Sequence, residues 1–392
     1  MNAPKLRFKD FNDEWESFTL GNLTALSDGT HFTPNYKLSG IPFWSVETIT
    51  KNAPVKYISE EEHEEINKRC NPQINDILIT RISSGINSLG LPKLVDWDTP
   101  FSIYVSVGLI KSSKLFDSTF LVEYIKTPKY KRDFLSKSLL TASPKKINMN
   151  NLATTLVKLP PLPEQKKLGD FFSLLEKKIQ LQQEKIDLLK EQKKGFMQKI
   201  FSQELRFKDV NGRECPKWEN KKIGDIATIT MGQSPNSTAY SDNSSDTVLV
   251  QGNADLKLGK IVPRIYTSEI TKMSELGDIL LTVRAPVGVV AKTNIPACIG
   301  RGVCSIQSDD FLYYYLDYFN MTDQWNKLSQ GSTFESVNSN DIKSIYVPQP
   351  SIKEKQKITS FFELLTKEID LAESSLIELQ KQKQAFMQQM FI

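Results

Sequence analysis

Polar side chains that could read the edges of nucleic-acid bases stand in turn-rich segments of both halves of this 392-residue chain. Arg can pair with guanine, and Asn or Gln with adenine, each through two hydrogen bonds. The candidates for base contacts are Thr30, His31, Trp44, Arg81, Ser83, Gln233, Ser234, Gln251, Asn253, Arg284, Arg301 and Ser332, and those for phosphate contacts are Lys145 and Lys146. Gly, Pro, Asn and Ser also build turns, so a structural role stays open at each of these sites.

Catalytic motifs are absent from the sequence. No G-x-x-x-x-G-K-[ST] phosphate loop occurs, because Gly252 to Gly259-Lys260 has the wrong spacing and lacks the hydroxyl residue. The Asn-Pro-Pro-aromatic motif of an amino-methyltransferase is also missing. Two histidines and four scattered cysteines do not supply the roughly four clustered ligands of a zinc site. We therefore predict a non-catalytic chain that itself holds no metal and no cofactor.

The composition is typical of a globular protein, with 39% hydrophobic and 24% charged residues. The net charge of +4 permits contact with a polyanion but does not demonstrate it. No run of about 18 apolar residues predicts a membrane span, and the first 15 residues lack the apolar core of a signal peptide. We expect a cytoplasmic protein.

The chain is an internal repeat. Residues 6–10 and 205–209 both read LRFKD, and a tryptophan follows each copy. Residues 164–201 align without gaps to residues 354–391, with 16 of 38 positions identical. Such a repeat indicates a tandem duplication in which a variable part is followed by a conserved segment, twice.

Each conserved segment is predicted to form one long helix, because it contains no proline and its apolar residues alternate at spacings of three and four. The predicted coiled-coil seam comprises Phe172, Leu175, Ile179, Ile186, Leu189, Phe196, Phe362, Leu365, Ile369, Leu376, Leu379 and Phe386. Two copies in one chain can bury each other, so we expect an antiparallel pair and an approximate internal two-fold axis. An ordinary helical core is the alternative. Lys193 and Lys383 interrupt the seam at equivalent places, either fixing register or reaching out to water.

The variable parts mix strands with a few helices. Strands are predicted at 41–49, 76–82, 102–110, 225–231, 247–251, 278–284 and 301–306. Helices are predicted from a capping box at Ser59 to about residue 69, at 118–139 with a break at Pro128, and at 310–329. The fold class is therefore α+β, with two mixed α/β domains separated by two long antiparallel coiled-coil helices. The expected divisions are 1–163, 164–203, 204–353 and 354–392.

The order of short motifs resembles one family, the specificity subunits of type I restriction–modification systems. The strings are DGTH (28–31), LPPLPEQ (159–165), MGQSP (231–235), QGNAD (251–255), VRAPVG (283–288) and IGRGV (299–303). The second copy of LPPLPEQ departs from the family pattern at Ser351 and Lys355. The resemblance covers essentially the whole chain, and the order of the motifs within the repeat makes it specific.

The resemblance implies that each variable part is a target recognition domain for one half of a bipartite double-stranded DNA sequence. The helices would set the spacing and dock two methyltransferase subunits, which bind S-adenosylmethionine. Two restriction subunits using ATP and Mg²⁺ would complete the complex. Half-site centres about one helical turn apart are expected. The alternatives are a specificity protein of another methyltransferase or nuclease system, an inactive allele, and a coiled-coil scaffold that binds proteins.

Overall fold

The structure, a computed structural model, describes residues 3–51, 53–209, 211–325 and 336–392. The chain forms two compact units, each with its own hydrophobic core: unit 1 comprises Met1–Gln183 and Ser374–Ile392, and unit 2 comprises Glu184–Glu373. Two long helices, Leu162–Phe201 and Ile352–Met390, each contribute residues to both units. No helix of the described residues is both long and apolar enough to cross a bilayer.

Unit 1 contains several short strands. They are β1 Glu16–Thr19, β2 Leu26–Asp28, β3 Ile41–Trp44, β4 Lys56–Ile58, β5 Ile77–Thr80, β6 Ile82–Ser83, β7 Pro92–Leu94, β8 Ser102–Ile103, β9 Val107–Ile110, β10 Lys145–Lys146 and β11 Leu156–Leu159. The sheets are β2-β9-β5-β7, β4-β3-β8, and the pairs β1-β11 and β6-β10. The central strands β5 and β9 are buried along their whole length, as their β-branched and leucine side chains require.

Short helices cover these sheets in unit 1. They are Leu20–Leu23, Val46–Lys51, Glu60–Asn67, Ser118–Ile125, Pro128–Ser136 and Met149–Ala153. The predicted break at Pro128 is confirmed, and Thr127 caps the second of the two helices there by accepting a bond from the Tyr130 amide. The predicted cap at Ser59 is confirmed as well, since its side chain accepts from the Glu62 amide at 3.3 Å. The Glu62 carboxylate, however, accepts from the Asn35 amide.

Unit 2 has a similar set of strands. They are β12 Glu219–Lys222, β13 Thr228–Met231, β14 Tyr240–Ser241, β15 Thr247–Val250, β16 Leu256–Lys257, β17 Lys260–Ile261, β18 Tyr266–Thr267, β19 Met273–Ser274, β20 Ile279–Thr282, β21 Val290–Lys292, β22 Ala297–Ile299, β23 Val303–Gln307 and β24 Tyr346–Gln349. Among the described residues of unit 2, the α-helices outside the long pair are Ile223–Ile226, Asp310–Met321 and Ser339–Ser344.

The two units share their strand topology. The order β2-β9-β5-β7 in unit 1 corresponds to β13-β23-β20-β21 in unit 2. The parallel pair β3-β8 corresponds to β15-β22, and the antiparallel pair β1-β11 to β12-β24. The predicted fold class, two mixed α/β domains with long antiparallel helices and an internal repeat, is confirmed.

Within unit 1 the two long helices run antiparallel. Phe171 packs edge-to-face on Phe386, with ring centroids 5.2 Å apart, and Glu176 accepts a hydrogen bond from Lys383. Moving in one direction along the pair, residue numbers increase in the first helix and decrease in the second. The Lys383 ammonium, largely buried, also lies 3.8 Å from the Glu123 carboxylate. This lysine is held by acids and does not reach out to water.

Unit 2 repeats the antiparallel pairing, and its contact between Phe196 and Phe361 is the equivalent of that between Phe386 and Phe171. Phe196 packs edge-to-face on Phe361 at 5.1 Å, and Lys190 lies 2.7 Å from the Glu373 carboxylate. Lys193 occupies the position of Lys383 and lies 4.0 Å from the Asp317 carboxylate. Burial lowers the pKa of Lys193, an effect that the nearby Asp317 opposes. Each predicted seam residue of both helices is buried or half-buried.

Three strand predictions differ from the structure. The predicted strand 102–110 is interrupted by a turn, because Ser102–Ile103 and Val107–Ile110 are separate strands in different sheets. The second half of the predicted strand 41–49 is wrong, because Val46–Lys51 is helical. The partner strand β8 ends at Ile103, and beyond it the Ser45 and Val46 amides donate to the hydroxyls of Thr48 and Ser106, while the Ile49 amide donates to the Ser45 carbonyl in the helix. The predicted strand 225–231 begins only at Thr228, after a short helix. The predicted helix 310–329 ends at Met321, and part of that range lies outside the described residues.

Candidate nucleic-acid interface

Three strand ends of unit 2 meet at one edge of its sheets. The Gln233 amide, just beyond β13, donates to the Ile299 carbonyl at 2.9 Å, and the Gly300 amide donates to the Val250 carbonyl at 2.8 Å. The Ser234 hydroxyl accepts from the Arg301 amide at 3.1 Å. We call this edge, residues 232–234, 250–252 and 299–302, the unit 2 loop platform. It brings four sequence-predicted residues together, namely Gln233, Ser234, Gln251 and Arg301.

Glycines allow these loops to approach so closely. A Cβ atom at Gly232 would lie 2.2 Å from the Gly300 carbonyl oxygen, and one at Gly302 would lie 2.1 Å from the Gln251 carbonyl oxygen. Both distances are far below van der Waals contact with backbone atoms that cannot move aside. Larger residues would therefore push the loops apart, which explains the glycine-rich motifs of this half.

The platform presents side chains in different states. Gln233 and Arg301 are exposed, as is Asn253 just beyond the platform, whereas Gln251 is half-buried and donates from Nε2 to the Tyr240 hydroxyl at 2.6 Å. Tyr240 was not among the predicted residues, since nothing in its sequence context links it to Gln251. The bond fixes the orientation of the Gln251 amide before any ligand arrives.

Arg284 is exposed beside the unit 2 loop platform. The amide of the preceding residue, Val283, donates to the Gly302 carbonyl at 2.9 Å, and Arg284 itself forms a β-bridge with Ser336. This pairing places Arg284 next to the Arg301 loop. Ser332, the remaining candidate of this half, lies outside the described residues.

Unit 1 builds the same platform from other residues. The Thr30 amide donates to the Ile103 carbonyl at 3.0 Å, as Gln233 does to Ile299, and the Tyr104 amide donates to the Trp44 carbonyl at 2.9 Å, as Gly300 does to Val250. A Cβ atom at Gly29 would lie 1.9 Å from the Ile103 carbonyl oxygen. Thr30 and His31 therefore occupy the positions of Gln233 and Ser234.

Thr30 and Trp44, two of the candidates of unit 1, make contacts within the protein. Thr30 is buried, and its hydroxyl accepts from the Phe32 amide at 3.3 Å, a turn contact. The Trp44 ring stacks on Trp97 at 4.9 Å, with the Lys93 ammonium 5.4 Å from its centroid. By contrast, the Phe32 side chain is 72% exposed at the tip of this loop, and sequence reasoning overlooked it.

Lys145, Lys146 and Ser83 come together in the short β6-β10 pair. Lys145 is in register with Ser83 and Lys146 with Ile82, and the next amide, Ile147, donates to the Arg81 carbonyl. Unit 2 has the same arrangement, because Val337 donates to Val283. The two lysines thus lie at the edge that Ser336 and Arg284 occupy in unit 2.

Arg81 is buried, and much of its hydrogen-bonding capacity is used inside unit 1. Its guanidinium donates to the Asp28 carboxylate at 2.7 Å and to the carbonyls of Val105 and Ile147 at 2.9 and 3.2 Å. Burial favours the neutral form of Asp28 and would raise its pKa, but the hydrogen bond from Arg69 and the charge of Arg81 outweigh this effect and lower the pKa. Asp28 is therefore a buried anion at neutral pH.

The described residues contain no group of three or more His, Cys, Asp and Glu side chains suited to a metal ion. Cys70, Cys298 and Cys304 are buried free thiols. Burial raises the pKa of Cys304 to about 12, which leaves it protonated and unreactive at neutral pH.

Comparison with known proteins identifies the family. Residues 12–191 and 216–381 match the type I restriction modification DNA specificity domain, and the chain belongs to this family. It is 27% identical to the putative type I restriction enzyme MjaX specificity subunit of Methanocaldococcus jannaschii, over 98% of this chain and 95% of that protein. The MjaVIII specificity subunit of the same organism is 22% identical, over 96% of this chain and 91% of that protein.

Solved structures share the fold. The S subunit of a type I restriction-modification system from M. genitalium superposes with a TM-score of 0.66 at 16% identity, covering 100% of this chain and 99% of that one. A chain from a study of complex assembly and conformational transition in the type I R-M system gives a TM-score of 0.55 at 22% identity, covering 95% and 96%. At these identities the likeness concerns the fold alone.

Proposed function

We propose that this chain is the non-catalytic DNA-specificity subunit of a type I restriction–modification complex, and that each unit reads one half of a bipartite target. The observation that carries the proposal is the loop platform, which occurs once in each unit on the same backbone bonds but with different polar side chains. Thr30 and His31 stand in unit 1 where Gln233 and Ser234 stand in unit 2. A shared scaffold with exchanged loop side chains is the arrangement expected of two independent sequence readers.

The contacts in this proposal follow the chemistry of the side chains. In unit 2, Gln233, Gln251 and Asn253 would pair with adenine, and Arg284 and Arg301 with guanine. Ser234 and, in unit 1, His31 would supply single hydrogen bonds, whereas the predicted Ser83 is buried, accepts from the Gly85 amide and would act within the protein. Lys145 and Lys146 would neutralise phosphates and thereby position unit 1. Arg81 would act within the protein, by holding Asp28.

The long helices would serve as spacer and docking surface. Leu174, Leu181 and Leu188 recur every seven residues on one face of the first helix, and each is more than half exposed. Leu364 and Leu371 occupy the matching positions of the second helix and are also more than half exposed. We call these residues the leucine stripes. Exposed apolar heptads are suited to docking another helix, so two stripes support two methyltransferase subunits as partners.

The remaining parts of the complex follow from this role. S-adenosylmethionine would be bound by the methyltransferase subunits, and ATP and Mg²⁺ by two restriction subunits. Residues 1–163 and 204–353 would be the recognition domains, and 164–203 and 354–392 the spacer helices. The complex would act in the cytoplasm, where chromosomal and invading DNA are accessible.

The test is a genome-wide map of methylated adenines in cells with and without this gene. Loss of one two-part motif with a fixed gap would support the proposal and identify both half-sites. An unchanged map, followed by failure of a co-expressed methyltransferase subunit to create any such motif, would refute it.

The leucine stripes also fit a second candidate, a scaffold that binds only proteins. Salt dependence separates the two, because binding through many phosphate contacts releases counterions from the DNA, and this release becomes less favourable as the salt concentration rises. A specificity subunit in its complex should lose affinity for its DNA by orders of magnitude between about 50 and 200 mM salt. A scaffold would show no DNA affinity to lose.

A further inference from the structure

Arg69 is an exposed arginine whose guanidinium is held by a buried carboxylate. It follows the helix Glu60–Asn67, and one terminal nitrogen of its guanidinium donates to Asp28 Oδ1 at 2.6 Å. The Arg69 side chain is 58% exposed, whereas that of Asp28 is only 7% exposed. The buried carboxylate therefore holds the guanidinium at the protein surface in one orientation.

His31 completes this group on the loop platform of unit 1. Its Nε2 atom lies 3.1 Å from both Asp28 Oδ2 and the Arg69 terminal nitrogen. One ring nitrogen either donates to Asp28 or accepts from Arg69, so only one of the two bonds forms at a time. In either case, the other terminal nitrogen and Nε of Arg69 keep donors for a ligand. Arg69 thus lies beside the loop position that Ser234 occupies in unit 2.

Comparison of the two units indicates that this charged group is not needed to build the platform. Asp28 at the end of β2 corresponds to Met231 at the end of β13, and Arg81, directly after β5, corresponds to Val283, directly after β20. Met231 and Val283 pack in one hydrophobic cluster. An apolar pair therefore suffices for the same backbone, while a buried ion pair carries a desolvation cost. Unlike the apolar pair, the Asp28–Arg81 ion pair provides a carboxylate that holds Arg69 at the surface.

We infer that Arg69 reads a guanine in the half-site of unit 1 and that Asp28 is the residue that positions it. A flexible cation is sufficient to bind a phosphate, whereas recognition of a guanine edge requires a planar guanidinium held in a defined direction. A fixed, half-exposed arginine beside the platform matches the second requirement. The inference rests on the proposed function and adds to it a specific reader and its support.

The experiment measures binding of the assembled complex, this chain with its methyltransferase subunits, to a duplex carrying the mapped two-part motif and to its single-base-pair variants. Three changes are compared with the wild type: Arg69→Ala, Arg69→Lys, and the double change Asp28→Met with Arg81→Val, which installs the apolar pair of unit 2. Arg132→Ala, at an exposed arginine of the helix Pro128–Ser136, is the matched control.

The wild type and the Arg132→Ala complex should prefer G·C at one position of the unit 1 half-site by a factor on the order of ten to a hundred. Each Arg69 change and the double change should remove most of that preference at the same position, while the other half-site and the gap stay unchanged and each variant keeps a cooperative melting transition. A purely structural role for Asp28 would not shift the preference at a single base pair.

Two results would overturn the inference. Discrimination retained at every position after Arg69→Ala would exclude base reading. Equal weakening on all duplexes, with a shallower dependence on salt, would show a phosphate contact instead. If the wild-type complex itself prefers no two-part duplex, the proposed function fails, and that outcome is distinct from both.

Discussion

Arg7 and Glu164 form a two-pronged ion pair that unit 2 repeats with Arg206 and Glu354. The nitrogen–oxygen distances are 2.8 and 2.6 Å in unit 1, and 3.0 and 2.7 Å in unit 2. Both glutamates stand in the first turns of the long helices and are almost completely buried. Each pair thus ties a repeated LRFKD segment to the start of a long helix.

The ion pairs should matter for stability. Arg7→Ala leaves the buried Glu164 charge without its partner and should reduce the free energy of unfolding by about 3–5 kcal/mol. Arg206→Ala should cost less, because Trp218 Nε1 still donates to Glu354 at 2.9 Å. Urea unfolding of both variants measures the difference. Lys167→Ala, in an exposed pair with Asp10, is the control and should change the value by no more than about 1 kcal/mol. Equal costs for the two arginines would contradict this explanation.

Arg284→Ala should relax or abolish recognition of one half-site only, because its side chain lies at the platform of unit 2 alone. The measurement is the sequence of methylated motifs in cells that carry the variant. Arg213→Ala, at an exposed arginine outside the platform, should leave the motif as it is. If both half-sites changed equally, the two units could not be independent readers.

If the long helices set the spacing, they act as a ruler: their length should determine the gap between the two half-sites. Seven residues inserted after both Gln183 and Glu373 keep the heptad seam and add about 10.5 Å of helix, at about 1.5 Å per residue. The gap between the half-sites should lengthen by up to about three base pairs, each about 3.4 Å, while both half-site sequences persist. Insertion into one helix alone is the control and should destabilise the chain. A changed half-site sequence would refute the ruler.

The leucine stripes should bind partner subunits. Leu181→Asp and Leu371→Asp should each weaken association with the methyltransferase subunit by about ten-fold or more, because a charge enters an apolar contact. Stability of the free chain should change little, since both side chains are exposed. Titration by ultracentrifugation measures the association. Glu191→Ala, an exposed change off the stripe, serves as the control, and unchanged affinity in both leucine variants would exclude this surface.

The Asp28 group should make unit 1 sensitive to acid. The folded-state pKa of Asp28 is lowered, so its stabilising contribution is complete above its ordinary pKa of 3.8 and is lost as pH falls through the lower folded value. Below about pH 4 the unfolding free energy of the wild type should therefore fall relative to that of the Asp28→Met, Arg81→Val variant. Urea titrations from pH 3 to 7 test this. If the unfolding free energies of the wild type and the variant changed with pH in the same way, this prediction would be wrong.

One of the two departures from the family pattern, Lys355, has a physical explanation in the structure. Lys355 replaces the glutamine expected from the first copy, where Gln165 accepts a bond from the amide of Asp117, the cap of the helix Ser118–Ile125. Lys355 instead binds the carboxylate of Asp309, the cap of the helix Asp310–Met321, at 2.7 Å. Both residues join a long helix to the cap of a domain helix, through different chemistry.

The sequence by itself determined the repeat, the two long helices and the residues of their seam. Those features rest on local periodicity and on comparison of one segment with another, and both can be read along the chain. Gln233, Gln251, Arg284 and Arg301 could be identified as candidates because each type of side chain has a known pairing chemistry.

Only the tertiary structure decided which polar groups face the surface and which serve the interior. Arg81 and Arg69 are both arginines near polar turns, yet Arg81 is buried against Asp28 while Arg69 extends to the surface. Asp28 lies 41 positions from Arg69 and 53 from Arg81 in the sequence, and Arg7 lies 157 from Glu164. Such partnerships arise when strands from distant segments pair, and no local pattern of residues encodes them.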